Sequence, residues 1–281
     1  VVGGHDIQSM CDSALLECFS ANSCATIIIC GDLFNRANMP TDALMRFQRF
    51  IHTKLAGFHC KVYVISGNHE LTPDGNSSLE LIEWPHDWLL VHRDVYLTEF
   101  NGVKIALAPY LHHGYSDMIA SIPSDYVVFS HVLVDTATGR IQLSSDVKPK
   151  LFERFPYVFL GDVHKMQRVG RNIMYTGCFV QTSYNDYGYT FGYLTVELSR
   201  LFKHKALTFC HLKTVAPLPE RVGGSVGVDD QERMQSIFNI DVPATASLTM
   251  DEALAFVEQH INKCADAVTY MKELRSTINN A

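Results

Sequence analysis

Short β-branched runs alternate along the chain with stretches whose apolar residues return every third or fourth position. Ile7–Ser20 has the second pattern and predicts a helix; Ala25–Cys30 has the first and predicts a strand ending in Gly31-Asp32. Thr41–Leu55 reads as a helix with Leu44, Phe47, Ile51 and Leu55 on one stripe. Cys60–Ser66 is a second strand, ending in Gly67-Asn68-His69-Glu70, and Val103–Ala108, Tyr126–Ser130 and Tyr157–Leu160 are further ones. Strands that read as near-continuous apolar runs, interleaved with helices, predict an α/β sheet covered on both faces. Asn172–Thr214 is strand-rich and predicts hairpins that complete a second sheet. Val215–Asp230, with two prolines and three glycines, reads as a linker, and Thr249–Ile278 as one long helix.

Polar punctuation recurs at the ends of these strands, where open α/β sheets bind ligands. Four segments concentrate metal-capable residues: Gly31-Asp32-Leu33-Phe34-Asn35-Arg36, Gly67-Asn68-His69-Glu70, Ser130-His131 and Gly161-Asp162-Val163-His164. Any one of them could be an ordinary turn or a core histidine. All four at strand ends point to metal chemistry. A carboxylate can bridge two divalent ions, an Asn carbonyl is a hard neutral ligand, and imidazoles add nitrogen donors. Two ions ~3.5–4 Å apart stabilise both the attacking and the leaving oxygens of an in-line phosphoryl displacement. A glycine before Asp32, Asn68 and Asp162 lets the chain turn sharply and approach an anion.

Composition narrows the setting. The 281 residues are 47% hydrophobic and 19% charged, which is globular and excludes disorder or fibre. No apolar run reaches the ~18 residues of a membrane span. A formal charge of −7 argues against charge-driven coating of nucleic acid, but permits an acidic site that meets phosphates through its metal. The eight cysteines form no C-x-x-C pair and are scattered, as expected of thiols in a reducing, cytoplasmic compartment.

The ordered set GD…GNH…H…G-x-x-H resembles the calcineurin-like metallophosphoesterase superfamily. Gly31-Asp32-Leu33-Phe34 followed by Pro40-Thr41, and Met174-Tyr175-Thr176-Gly177-Cys178-Phe179-Val180-Gln181, resemble its SbcD-like branch, the nuclease subunit of the SbcCD-type double-strand-break repair complex. In the second segment Thr176 and Cys178 depart from that branch's Tyr-Pro-Gly-Ser strand. The resemblance implies a four-layer αββα sandwich over residues 1–215, a linker over 216–248 and a C-terminal helix over 249–281. It implies two divalent ions, most readily Mn(2+). Asp32 would bridge them, Asn68, His131 and Asp162 would complete one, and His164 would belong to the other. His69 would protonate the leaving oxygen or else orient the phosphate; the first task suits a histidine because its ordinary pKa of ~6.5 lies near working pH.

Two departures matter. Asp162 stands where the nuclease branch usually has His, which adds charge and shifts preference toward harder ions. The family's first motif, Asp-x-His, is absent, and Gly4-His5-Asp6 has the residue types in the wrong order. The expectation is a chain lacking the family's first strand.

Arg36, Lys165 and Arg168 are candidates for substrate phosphates, with Arg171 beside them; the alternative for the last three is an ordinary solvated hairpin. His112-His113 and Tyr184, Tyr187 and Tyr189 are candidates for substrate contact or stacking, with a solvated loop and sheet packing as the alternatives. The C-terminal residues Leu254, Val257, Ile261, Cys264, Val268 and Met271 step by 3 and 4, a heptad-like seam. The resemblance implies docking of this helix onto the coiled coil of an SbcC-like ATPase; packing on its own domain is the alternative. The expected substrate is DNA, with no membrane involvement. Rivals are a serine/threonine phosphatase, from whose motifs Asn35, Ala37 and Ser66 depart, a small-molecule phosphoesterase, and a non-catalytic scaffold that kept the fold.

Overall fold

A computed structural model describes residues 7–139, 143, 145–183, 186, 188–198, 201 and 207–211. Val1–Asp6, the linker over 216–248, the C-terminal segment over 249–281, Tyr184 and Tyr187 lie outside the described residues.

Helix α1 (Ile7–Ala21) leads into strand β1 (Thr26–Cys30), then helix α2 (Thr41–Phe50) and β2 (Lys61–Ile65). There follow β3 (Trp88–Val91), β4 (Tyr96–Phe100), β5 (Val103–Ala108), helix α3 (Tyr115–Ser121), β6 (Val127–His131) and β7 (Val158–Gly161). Strands β8 (Gln167–Val169), β9 (Ile173–Tyr175), β10 (Gly192–Val196) and β11 (Leu207–His211) complete the described elements. One sheet has the order β1-β2-β3, all parallel. A second has the order β4-β5-β6-β7-β9-β8, with β5, β6, β7 and β9 parallel and both edges closed by antiparallel partners. Strands β10 and β11 form a separate antiparallel pair.

Side chains alternate across each strand, and this sorts the core into three layers. Tyr63 and Ile65 of β2 meet Ile105, Leu107, Phe129 and Phe159 of the second sheet. Their neighbours Val62 and Val64 face the other way, onto Leu15 and Phe19 of α1 and Leu44 and Phe47 of α2. On the far side, Ala106, Val128, Val158 and Leu160 pack under Tyr115 and Ile119 of α3 and under Phe152 and Phe155. Helices, sheet, sheet and helix thus stack as the expected α/β sandwich.

The stretch read as one helix over Thr41–Leu55 divides. Its α-helical hydrogen bonding ends at Phe50, a wider π turn runs from Ile51 to Leu55, and a short 3-10 turn follows. The Thr53 hydroxyl donates to the Arg49 carbonyl at 2.8 Å, a bond that competes with the regular ladder there. The predicted stripe survives the change, since Leu44, Phe47, Ile51 and Leu55 are all buried. Among the described residues, no helix is long and apolar enough to cross a membrane.

Candidate metal centre

The parallel strands β1, β2, β6 and β7 all end at the same edge, and each delivers a polar segment there. Gly31 and Asp32 both take left-handed backbone (φ 84° and 54°), so the chain reverses immediately after β1. Glycine adopts that region freely and Asp tolerates it better than most residues. Asp162, following β7, has φ 83° and turns in the same way. The bends throw both carboxylates back over the strand ends.

Three glycines let these loops interlock. A Cβ on Gly31 would lie 2.2 Å from His131 Nδ1, one on Gly67 2.2 Å from an Asp32 carboxylate oxygen, and one on Gly161 1.8 Å from the Cys30 carbonyl oxygen. Gly31 therefore needs both its positive φ and its missing side chain. Gly67 and Gly161 need only the close approach, to the Asp32 carboxylate and the Cys30 carbonyl respectively, so of the expected turn and close approach only Gly31 shows both.

His131 is completely buried. Its Nδ1–H donates to the Cys30 carbonyl at 2.7 Å, which turns Nε2 toward the site. Around Nε2 lie Asn68 Oδ1 at 2.8 Å, Asp32 Oδ1 at 3.3 Å and Asp162 Oδ1 at 3.6 Å. The donor atoms of Asp32, His131 and Asp162 all fall within 4.8 Å of one another. A neutral imidazole here would point a lone pair at three oxygens. A positive charge among them, either a proton on Nε2 or a metal ion, relieves that repulsion. Burial disfavours charge on His131, yet the carboxylates of Asp162 and Asp32 overcome it and carry the pKa up to about 10. Burial opposes charge on Asp32 as well, but His131 and His69 hold its carboxyl below the usual range. Hard oxygens, one imidazole nitrogen and excess negative charge fit a divalent ion. Metal binding needs a neutral imidazole and ionised carboxylates, so it competes with protons for these groups.

His69 stands at the rim with its side chain 49% exposed. Its Nε2 is 3.9 Å from Asp32 Oδ2, and its backbone N–H donates to Asp32 Oδ1 at 3.2 Å. His164 is anchored from behind, its Nδ1 2.9 Å from the buried carboxylate of Asp186. Burial works against charge on both partners of that pair. Their mutual attraction prevails, so the His164 pKa lies above its ordinary value and the Asp186 pKa below.

Beneath the cluster sits Glu70, completely buried. One of its carboxylate oxygens accepts from Phe34 N–H at 3.0 Å and the other from Gly67 N–H at 2.7 Å, tying the Asp32 loop to the Asn68 loop. Burial pushes its pKa up to about 7, and the charge of Asp32 adds to the rise while the two N–H donors oppose it. Glu70→Ala would orphan two buried donors, at ~1–3 kcal/mol each. Urea unfolding is expected to show a loss of roughly 2–5 kcal/mol, and Glu70→Gln, which keeps one acceptor, a smaller one.

Of the residues expected at the site, Asp32, Asn68, His131 and Asp162 are brought together around one point. His69 stands beside Asp32, and His164 lies within the electrostatic reach of Asp32 and Asp162. Arg36 is exposed on the loop after Asp32, Lys165 is half-buried just past His164, and Arg168 is exposed on β8. Strands β8 and β9 form an antiparallel hairpin, with Arg171 in its turn. Arg171 lines a cleft with Asp125, Glu153 and Arg154 at the amino ends of β6, β7 and β9, away from the site. His112 and His113 are exposed, the former edge-on to Tyr110 with ring centroids 5.4 Å apart. Asp186 and the structural part of Glu70 were not legible in the sequence. No pattern marks an Asp 22 positions after a histidine as its partner.

A sandwich whose strand ends converge on a carboxylate–imidazole–amide cluster is an α/β protein with a candidate metal site. Residues 6–166, more than half of the chain, match the family model of the calcineurin-like phosphoesterases, and the chain belongs to that family. Membership supports metal-dependent phosphoester hydrolysis at this centre.

Proposed function

We propose that the protein is a two-metal phosphodiester hydrolase that acts on DNA as an SbcD-like exo- or endonuclease. The observation that carries this reading is the open His69 imidazole beside Asp32, at the mouth of the cluster formed by Asp32, Asn68, His131 and Asp162. A scaffold that had kept only the fold would have no use for a half-exposed histidine there. The Gly31-Asp32-Leu33-Phe34 and Met174–Gln181 segments support the nuclease branch, and the departures at Asn35, Ala37 and Ser66 argue against a serine/threonine phosphatase.

Asp32, Asn68, His131 and Asp162 would hold one ion, and Asp32 with His164 the other. Divalent ions bound here supply Lewis acidity to the phosphoryl oxygens. Water would lose a proton to solvent as its oxygen forms the new P–O bond, and the bond to the leaving oxygen would break as His69 donates a proton to that oxygen. Arg36, Lys165 and Arg168 would contact flanking phosphates. A second carboxylate in place of the branch's usual histidine supports Mn(2+) as the working ion. The 254–271 seam supports docking onto the coiled coil of an SbcC-like ATPase.

The test is a substrate panel: duplex and single-stranded oligonucleotides, bis(nitrophenyl) phosphate, nitrophenyl phosphate and a phosphoserine peptide, each with Mn(2+), Mg(2+) or Zn(2+). Diester cleavage exceeding monoester cleavage, with DNA degraded and Mn(2+) most effective, is the expected result. Dephosphorylation of the peptide with DNA untouched would assign the chain to the phosphatases instead.

A further inference from the structure

We propose that Asp186 is a positioning residue for metal binding: its carboxylate fixes the tautomer and ring orientation of His164, so that Nε2 is the nitrogen presented to a divalent ion. The proposal rests on the metal-hydrolase reading above and concerns a residue beyond the span that matches the family.

The geometry is that of a held carboxylate. Asp186 is 3% exposed. Its Oδ2 accepts from Thr182 N–H at 3.1 Å, the Thr182 hydroxyl at 3.1 Å and Ser183 N–H at 3.0 Å. Those bonds fix the plane of the carboxylate and leave Oδ1 for one task, receiving the Nδ1–H of His164 at 2.9 Å. A turn could be capped as well by a neutral amide. Burying a charge is costly unless it is paired, and the partner kept here is an imidazole at the metal centre.

His131 provides the contrast. Its Nδ1–H is held by a neutral backbone carbonyl, that of Cys30, whereas His164 is held by an anion. A carboxylate behind an imidazole raises the basicity of the other nitrogen, and such partners are typically worth ~10–100-fold in metal affinity. The two ion positions are therefore unequal by construction, and Asp186 acts on the one that His164 serves.

The decisive comparison is Asp186→Asn against Asp186→Ala in the full chain, titrated with Mn(2+) by calorimetry. In the Asn variant, Thr182 and Ser183 claim the single amide oxygen. The amide N–H then faces Nδ1 and drives the ring proton to Nε2, where it blocks the ligand position. Asp186→Ala leaves Nδ1 only the Thr182 hydroxyl, at 3.5 Å, a group that can donate or accept and so enforces neither tautomer. We expect Asn to weaken one of two Mn(2+)-binding events by ~10–100-fold and Ala to weaken it less, with the other event near wild type in both. A merely structural role predicts the reverse order, because Ala orphans three donors and Asn does not. Nitrogen NMR of the metal-free protein gives an independent readout: His164 should carry its proton on Nδ1 in the wild type and on Nε2 in Asp186→Asn. If Asp186→Ala fails to fold, the Asn titration and its tautomer decide alone. Wild-type Mn(2+) affinity in Asp186→Asn, or an unchanged tautomer, would overturn the proposal while leaving the hydrolase reading intact. A wild-type chain that binds no Mn(2+) would remove that reading and this proposal with it.

Discussion

His69→Ala is expected to slow phosphoester cleavage by ~10²–10⁴-fold, the usual cost of losing a positioned proton donor. Metal affinity should stay near the wild-type value, because of how His69 meets Asp32. The backbone N–H donates to Asp32 Oδ1, and that bond survives removal of the ring. The imidazole itself reaches no closer than 3.9 Å to the carboxylate and leans on the Asn35 carbonyl, with Nδ1 at 3.4 Å. It is thus placed to serve something that enters the site. Turnover measured beside a Mn(2+) titration separates the roles. Unchanged cleavage would show that His69 donates no proton, and lost Mn(2+) binding would make it a ligand.

The clustered residues were legible in the sequence because their strands are. Strands β2, β6 and β7 lie between two covered faces and therefore read as continuous apolar runs whose ends are plain. Each run stops at a polar residue that the fold must place at one edge of a parallel sheet. Strand β8, Gln167-Arg168-Val169, gave no such signal, because it is a three-residue edge strand with one face in solvent. Strand β4 alternates toward exposure, and α3 is only seven residues long. The glycines were legible as residues but not as contacts. Nothing local says that the strand end at Gly161 presses on Cys30, 131 positions earlier. The same holds for Asp186, whose value lies in one long-range bond to His164.

That contact at Gly161 carries the largest structural effect expected of one methyl group. Gly161 pairs with His131 in the β6–β7 register, and the Cys30 carbonyl descends onto it from the end of β1 in the other sheet. The same carbonyl accepts the Nδ1–H of His131. A Cβ at position 161 would meet that oxygen at 1.8 Å and His131 Nδ1 at 2.8 Å, and the first obstacle is backbone, which has no rotamer to yield. Relief requires the ends of β1 and β7 to part. Parting them breaks the bond that orients His131 and carries the Asp32 loop away from Asp162. Overpacking of a rigid core typically costs ~1–3 kcal/mol, and a clash against backbone belongs at or above the top of that range. Gly161→Ala should therefore lose roughly 3 kcal/mol or more in urea unfolding, together with Mn(2+) affinity. Gly57→Ala is the control, since a Cβ there meets nothing within 4 Å; it should unfold at or slightly above the wild-type midpoint. Equal midpoints for the two variants would mean that the sheets do not close on Gly161, and that some other contact sets the geometry of the metal centre.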